Sequence, residues 1–145
     1  MTRADKGRYA AKHAAGTMPD ENTTAAVKAR TEAGKLACAA AERIGAELGV
    51  PMGDVGRTAD LLEIRIDRCQ LGLFGYDAPG GRIIRPDDVA APELEKAIRS
   101  HLVDGRLPCA AAWEIATALK IPRLKVSSAA ELLKIKVKPC QLGAF

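Results

Sequence analysis

Cys69-Gln70-Leu71-Gly72-Leu73-Phe74 returns as Cys140-Gln141-Leu142-Gly143-Ala144-Phe145, and that recurrence decides how the chain is read. Each copy closes a longer unit. Offsetting the sequence by 71 residues lays 34–74 on 105–145 without a gap, with 19 identities in 41 positions. A match of that quality at a fixed offset is an internal duplication. The fold question becomes what one unit is. The functional question becomes what two of them are for.

The 145 residues are enough for two small units, each with a modest core. Aromatics make up only 3% of the chain, so the cores must be built from Ala, Leu, Ile and Val. That composition leans helical. Met1 to Lys6 carries charges with no apolar stretch behind them, so no secretory signal is expected. No apolar run approaches the ~20 residues of a membrane span. The cytoplasm is the expected compartment, and no membrane partner is expected.

The net charge of +4 is unevenly spread. Residues 34–74 hold five basic and six acidic groups, while 105–145 hold seven basic and two acidic. The second repeat is therefore the basic one, as expected of a surface that meets a polyanion. A solvated surface with no partner is the competing reading.

Along the chain, 1–20 shows no periodicity and reads as a flexible tail. Within it Lys6, Arg8, Tyr9, Lys12 and His13 form a candidate basic arm. Asp20 or Asn22 caps a first helix that runs toward Gly34. A second helix spans Leu36–Leu48, with Ala41, Ile44 and Leu48 at helical spacing. Gly49-Val50-Pro51 interrupts it, and a third helix covers Met52–Leu62. Ile64-Arg65-Ile66 alternates as a strand does, the glycines from Gly75 to Gly81 mark a turn, and Arg82–Arg85 reads as a returning strand. The second unit repeats this with helices at 93–104, 107–119 and 123–133 and a strand at 135–137. It ends before any return. The expected organisation is a tail at 1–20, a first unit at 21–88 and a second, with a truncated wing, at 89–145.

Gly45, Gly49, Val50 and Val55 stand at the spacing of a small crossing residue, a turn and two apolar anchors. Ala116, Lys120, Ile121 and Val126 repeat it. With the helix–helix–turn–helix–hairpin order, each unit resembles the helix-turn-helix and winged-helix superfamily of DNA-binding domains. The resemblance implies a mainly α fold with a short β-hairpin, as two tandem winged helix-turn-helix repeats. It also implies double-stranded DNA as partner, a role in transcription regulation, and a third helix lying in the major groove. On that basis the outward residues of the third helices are the candidate contacts. They are Gly56, Arg57, Asp60 and Glu63 in the first unit. In the second they are Arg123, Lys125, Ser127, Ser128, Glu131 and Lys134, with Lys136 beyond. The first set is compromised by Asp60 and Glu63, unless Arg57 pairs with Asp60. Lys120, where the first unit has Gly49, requires either a left-handed lysine or another turn.

Cys38 and Cys69 stand 31 residues apart, and Cys109 and Cys140 repeat that spacing. Each unit is thus expected to hold a thiol pair, able to form a disulfide or half a metal site, or else two small buried hydrophobes. No Cys-x-x-Cys occurs, so no metal or cofactor is expected. Gln70 and Gln141 suit backbone hydrogen bonding at a bend. Trp113, in the place of Glu42, is assigned to core or inter-repeat packing. No catalytic motif is present, and the chain reads as a non-enzyme. The alternatives to a DNA-binding regulator are a protein-interaction adaptor, a homodimer among its possible assemblies, and a thiol-based redox or metal sensor.

Overall fold

The computed structural model describes residues 8–145. Six α-helices lie within them, divided between two compact units. Unit 1 comprises Met1–Cys69 with Gln141–Phe145, and unit 2 comprises Gln70–Cys140. The division therefore falls at the two signatures and not at 88/89. Each copy of Gln-Leu-Gly-x-Phe belongs to the unit built on the other repeat's helices.

In unit 1, Asp20 caps helix α1 (Glu21–Arg30), its carboxylate accepting from the Thr23 amide at 2.9 Å and the Thr23 hydroxyl at 3.0 Å. Strand β1 (Lys35–Ala37) then runs directly into α2 (Cys38–Leu48). Gly49 ends α2 in the left-handed region at φ 65°, and the Val50 amide returns to the Gly45 carbonyl at 3.0 Å. A side chain at Gly45 would press on the Val50 carbonyl at 3.1 Å, which is the tight crossing its spacing implies. Helix α3 (Met52–Leu61) follows, then strand β2 (Arg65–Asp67). Strands β1 and β2 pair in parallel, with Leu36 opposite Ile66. The core is Val27, Leu36, Ile44, Val55 and Ala59, all fully buried.

Unit 2 follows the same plan through α4 (Pro92–Ser100), α5 (Cys109–Leu119) and α6 (Arg123–Leu132). Leu107 bridges Val137 in parallel, a pair displaced by the repeat offset from Leu36 and Ile66. The bridges Glu32–Lys35 and Val103–Arg106 are related in the same way. The structural repeat therefore begins earlier than the sequence match, with α1 and α4 as counterparts. Lys120 takes the left-handed conformation at φ 55°, and the Ile121 amide reaches the Ala116 carbonyl at 3.0 Å. The second turn thus keeps the geometry of the first and strains a lysine to do so.

The expected hairpin is replaced by this parallel pairing. Among the described residues Arg82–Arg85 forms no strand. In unit 2 the Ile83 amide instead donates to the Gly72 carbonyl at 3.0 Å, laying the segment on the signature. The part of the 1–20 tail that is described also differs from a loose end. Tyr9–Lys12 forms a 3-10 turn, and Tyr9 is buried. Lys6 lies outside the described residues. No helix is long and apolar enough to cross a membrane among those described.

Candidate nucleic-acid interface

The third helices carry the residues expected to read DNA, and in both units those faces are occupied. In unit 1 the Asp60 carboxylate is buried and pairs with Lys12 Nζ at 3.1 Å and His13 Nε2 at 2.9 Å. Glu63 accepts the amides of Tyr9 and Ala10 at 2.9 and 2.8 Å. The acidic groups that argued against DNA contact on α3 thus hold the N-terminal segment. Arg57 is exposed and pairs with Asp54 at 3.2 Å, not with Asp60. Gly56 is buried because Leu142 of the second signature lies on it: a Cβ there would stand 1.9 Å from the Leu142 carbonyl oxygen.

Helix α6 in unit 2 is covered by the first signature. Ser127, the counterpart of Gly56, is 1% exposed and donates its hydroxyl to the Leu71 carbonyl at 2.6 Å. It cannot reach a base edge, and its expected role is corrected to a clasp on the signature. Ser128 is half-buried, and its carbonyl accepts from the Asp87 amide at 3.2 Å. Arg123 stacks its guanidinium over the Trp113 ring, 3.7 Å from the centroid, and donates to Gln70 Oε1 at 2.8 Å. Trp113 is therefore held within unit 2 by a cation. Lys125 is exposed, with Nζ 3.2 Å from Asp87 Oδ2, an ion-pair contact without hydrogen-bond alignment. Glu131 pairs with Arg82.

Beyond α6 the picture changes. Lys134 turns the chain out of α6 in the left-handed region at φ 57°, and the chain then extends beside Leu107. The Leu107 amide donates to the Lys136 carbonyl and the Lys138 amide to the Leu107 carbonyl, both at 2.9 Å. Ile135 is buried and Val137 half-buried, whereas Lys134, Lys136 and Lys138 are all exposed. Lys136 and Lys138, alternate residues of the extended stretch, lie ~6.6 Å apart, close to the separation of neighbouring phosphates along one nucleic-acid strand. Arg106 is exposed next to Leu107. Among the described residues no carboxylate pairs with the three lysines.

Unit 1 places Glu63, Arg65 and Asp67 at the three corresponding positions, so the strip sums to −1 there and +3 in unit 2. Lys138 is a further candidate that the sequence reading did not single out, although its period of two with Lys134 and Lys136 is visible there. None of the four cysteines is in a disulfide; Cys38, Cys69 and Cys109 are buried and Cys140 is half-buried. Among the described residues no cluster of three or more His, Cys, Asp or Glu is placed to hold a metal ion. No protein-family model matches the chain, and comparison with curated proteins and with solved structures finds no match.

Two electrostatic features belong to unit 1. Backbone and side-chain hydrogen bonds from Thr23 hold the Asp20 carboxyl below its usual range. The Arg30 guanidinium, hydrogen-bonded to Glu47 at 2.6 Å, does the same for that carboxyl.

Proposed function

We propose that this protein binds nucleic acid by gripping the phosphate backbone of double-stranded DNA with unit 2. The observation that carries the reading is exposed Lys136 and Lys138 on one extended segment, with exposed Lys134 at the left-handed turn before it and exposed Arg106 beside it, none of the three lysines paired with a carboxylate among the described residues. Ammonium groups at that spacing neutralise successive phosphates and release their counterions. The mode differs from a recognition helix in the major groove. Ser127 is spent on the signature, and Arg123 and Lys125 already have partners within unit 2. Phosphate contacts fix position without reading sequence, so binding is indifferent to sequence. Unit 1 then serves as scaffold, its equivalent strip carrying two acidic groups and one basic.

The test is a shift assay on a mixed-sequence duplex at low salt, comparing wild type with the Lys134→Gln, Lys136→Gln, Lys138→Gln triple variant. Wild type is expected to bind and the variant to lose most of its affinity. Equal affinity of the two, or no binding by wild type, overturns the proposal.

A further inference from the structure

The same extended segment brings the backbones of two cysteines together. Leu107 and Val137 are bridged in parallel, and Cys109 and Cys140 lie two and three residues further along the two strands. The Cys109 amide donates to the carbonyl of Pro139, the residue bonded to Cys140, at 3.0 Å. Standard bond lengths across that hydrogen bond hold the two Cα atoms within about 7 Å, and disulfides span Cα separations of about 4.4–6.8 Å. Neither cysteine is in a disulfide, Cys109 being buried at the start of α5 and Cys140 half-buried.

We propose that Cys109 and Cys140 are a peroxide-oxidised dithiol, with Cys140 as the entry thiol and Cys109 as the resolving one. The Cys140 thiolate attacks one oxygen of hydrogen peroxide. The O–O bond breaks, leaving a sulfenic acid on Cys140 and one water. The Cys109 thiolate then attacks the Cys140 sulfur, the S–O bond breaks, and the oxygen leaves as a second water. Two thiols are oxidised by two electrons, the peroxide oxygens are reduced, and both thiol protons end in water. The exposure pattern assigns the reaction to unit 2. In unit 1 Ala37 and Asp67 are partners in the ladder, but Cys38 is 6% and Cys69 4% exposed, so neither offers the peroxide an entry thiol. The disulfide fastens the end of the lysine strip to α5, and its formation does not depend on what the strip binds.

The experiment treats the reduced full-length chain with hydrogen peroxide under native conditions. Remaining thiols are then alkylated in denaturant, and the peptides are mapped by mass spectrometry. The expected product is one Cys109–Cys140 cross-linked peptide, reversed by dithiothreitol, with Cys38 and Cys69 alkylated. Cys109→Ser should stop at a sulfenic acid on Cys140, trapped by dimedone, and Cys140→Ser should leave Cys109 fully alkylated. The proposal is overturned by four alkylated cysteines in treated wild type. It is equally overturned by a persistent Cys140 sulfenic acid beside a free Cys109, or by a cross-link joining any other pair.

Discussion

Replacing Gly56 by alanine tests the packing of the second signature on α3. A methyl group there would meet the Leu142 carbonyl oxygen at 1.9 Å, its carbon at 2.6 Å and its Cα at 2.8 Å, all backbone atoms. Backbone has no rotamer by which to yield, so the signature must lift from the helix. Leu142 is 3% exposed, and returning a buried leucine to water costs about 1.5–3 kcal/mol. Against this, alanine in a helix is better than glycine by about 0.5–1 kcal/mol. The net expectation is a loss of about 1–2 kcal/mol, read as a lowered urea midpoint by circular dichroism. Gly53, one turn earlier, is the control, because a Cβ there finds only the Gln141 carbonyl at 4.0 Å. Gly53→Ala should therefore leave stability unchanged or raise it by up to about 1 kcal/mol. If Gly56→Ala stabilises as Gly53→Ala does, the signature does not bear on α3 as described.

Two further outcomes follow from the scaffold. Lys120→Gly should raise the urea midpoint, by up to about 1 kcal/mol, because it relieves a left-handed non-glycine residue at the end of α5. The Asp20 carboxyl, held low by Thr23, contributes stability that is present above the ordinary carboxylate range. That contribution is lost as pH falls through the lowered folded value. Asp20→Asn keeps a capping side chain and should flatten this acid limb of the stability–pH curve, measured by thermal unfolding.

The helices of each repeat were legible because their signals are local. Apolar spacing at Ala41 and Ile44, a glycine stop at Gly49 and a proline at Pro51 all act within one or two turns. Strand β1 was not, since Lys35-Leu36-Ala37 is too short for a period and runs into helix-forming Cys38-Ala39-Ala40. Its partner, moreover, lies some 30 residues away. The turn after Phe74 suggested a strand hairpin, but among the described residues Arg82–Arg85 forms no strand and makes only a single backbone bond, Ile83 to Gly72, onto the signature.

Ser127 looked like a reader because a helix face reads as outward until the segment that covers it is known. The covering segment is Leu71, 56 residues earlier in the chain. A trace of this was present in the sequence, where Gly56 and Ser127 are both small at the same repeat position. The acids Asp60 and Glu63 looked like obstacles for a related reason. Their partners, Lys12, His13 and the amides of Tyr9 and Ala10, come from a segment without periodicity. In each case the missing information was long-range.

Counterion release gives the most direct test of the lysine strip. Each neutralised phosphate contributes about −0.9 to the slope of log affinity against log salt, so three lysines contribute about −2.7. Between 50 and 200 mM salt that alone is a fall of about 40-fold. Affinity for a mixed-sequence duplex should be measured across this range for wild type and for the Lys134→Gln, Lys136→Gln, Lys138→Gln variant. The three side chains are exposed, so the variant should keep its unfolding midpoint within about 0.5 kcal/mol of wild type. The account predicts a slope shallower by close to three in the variant. An unchanged slope in a folded variant would contradict it.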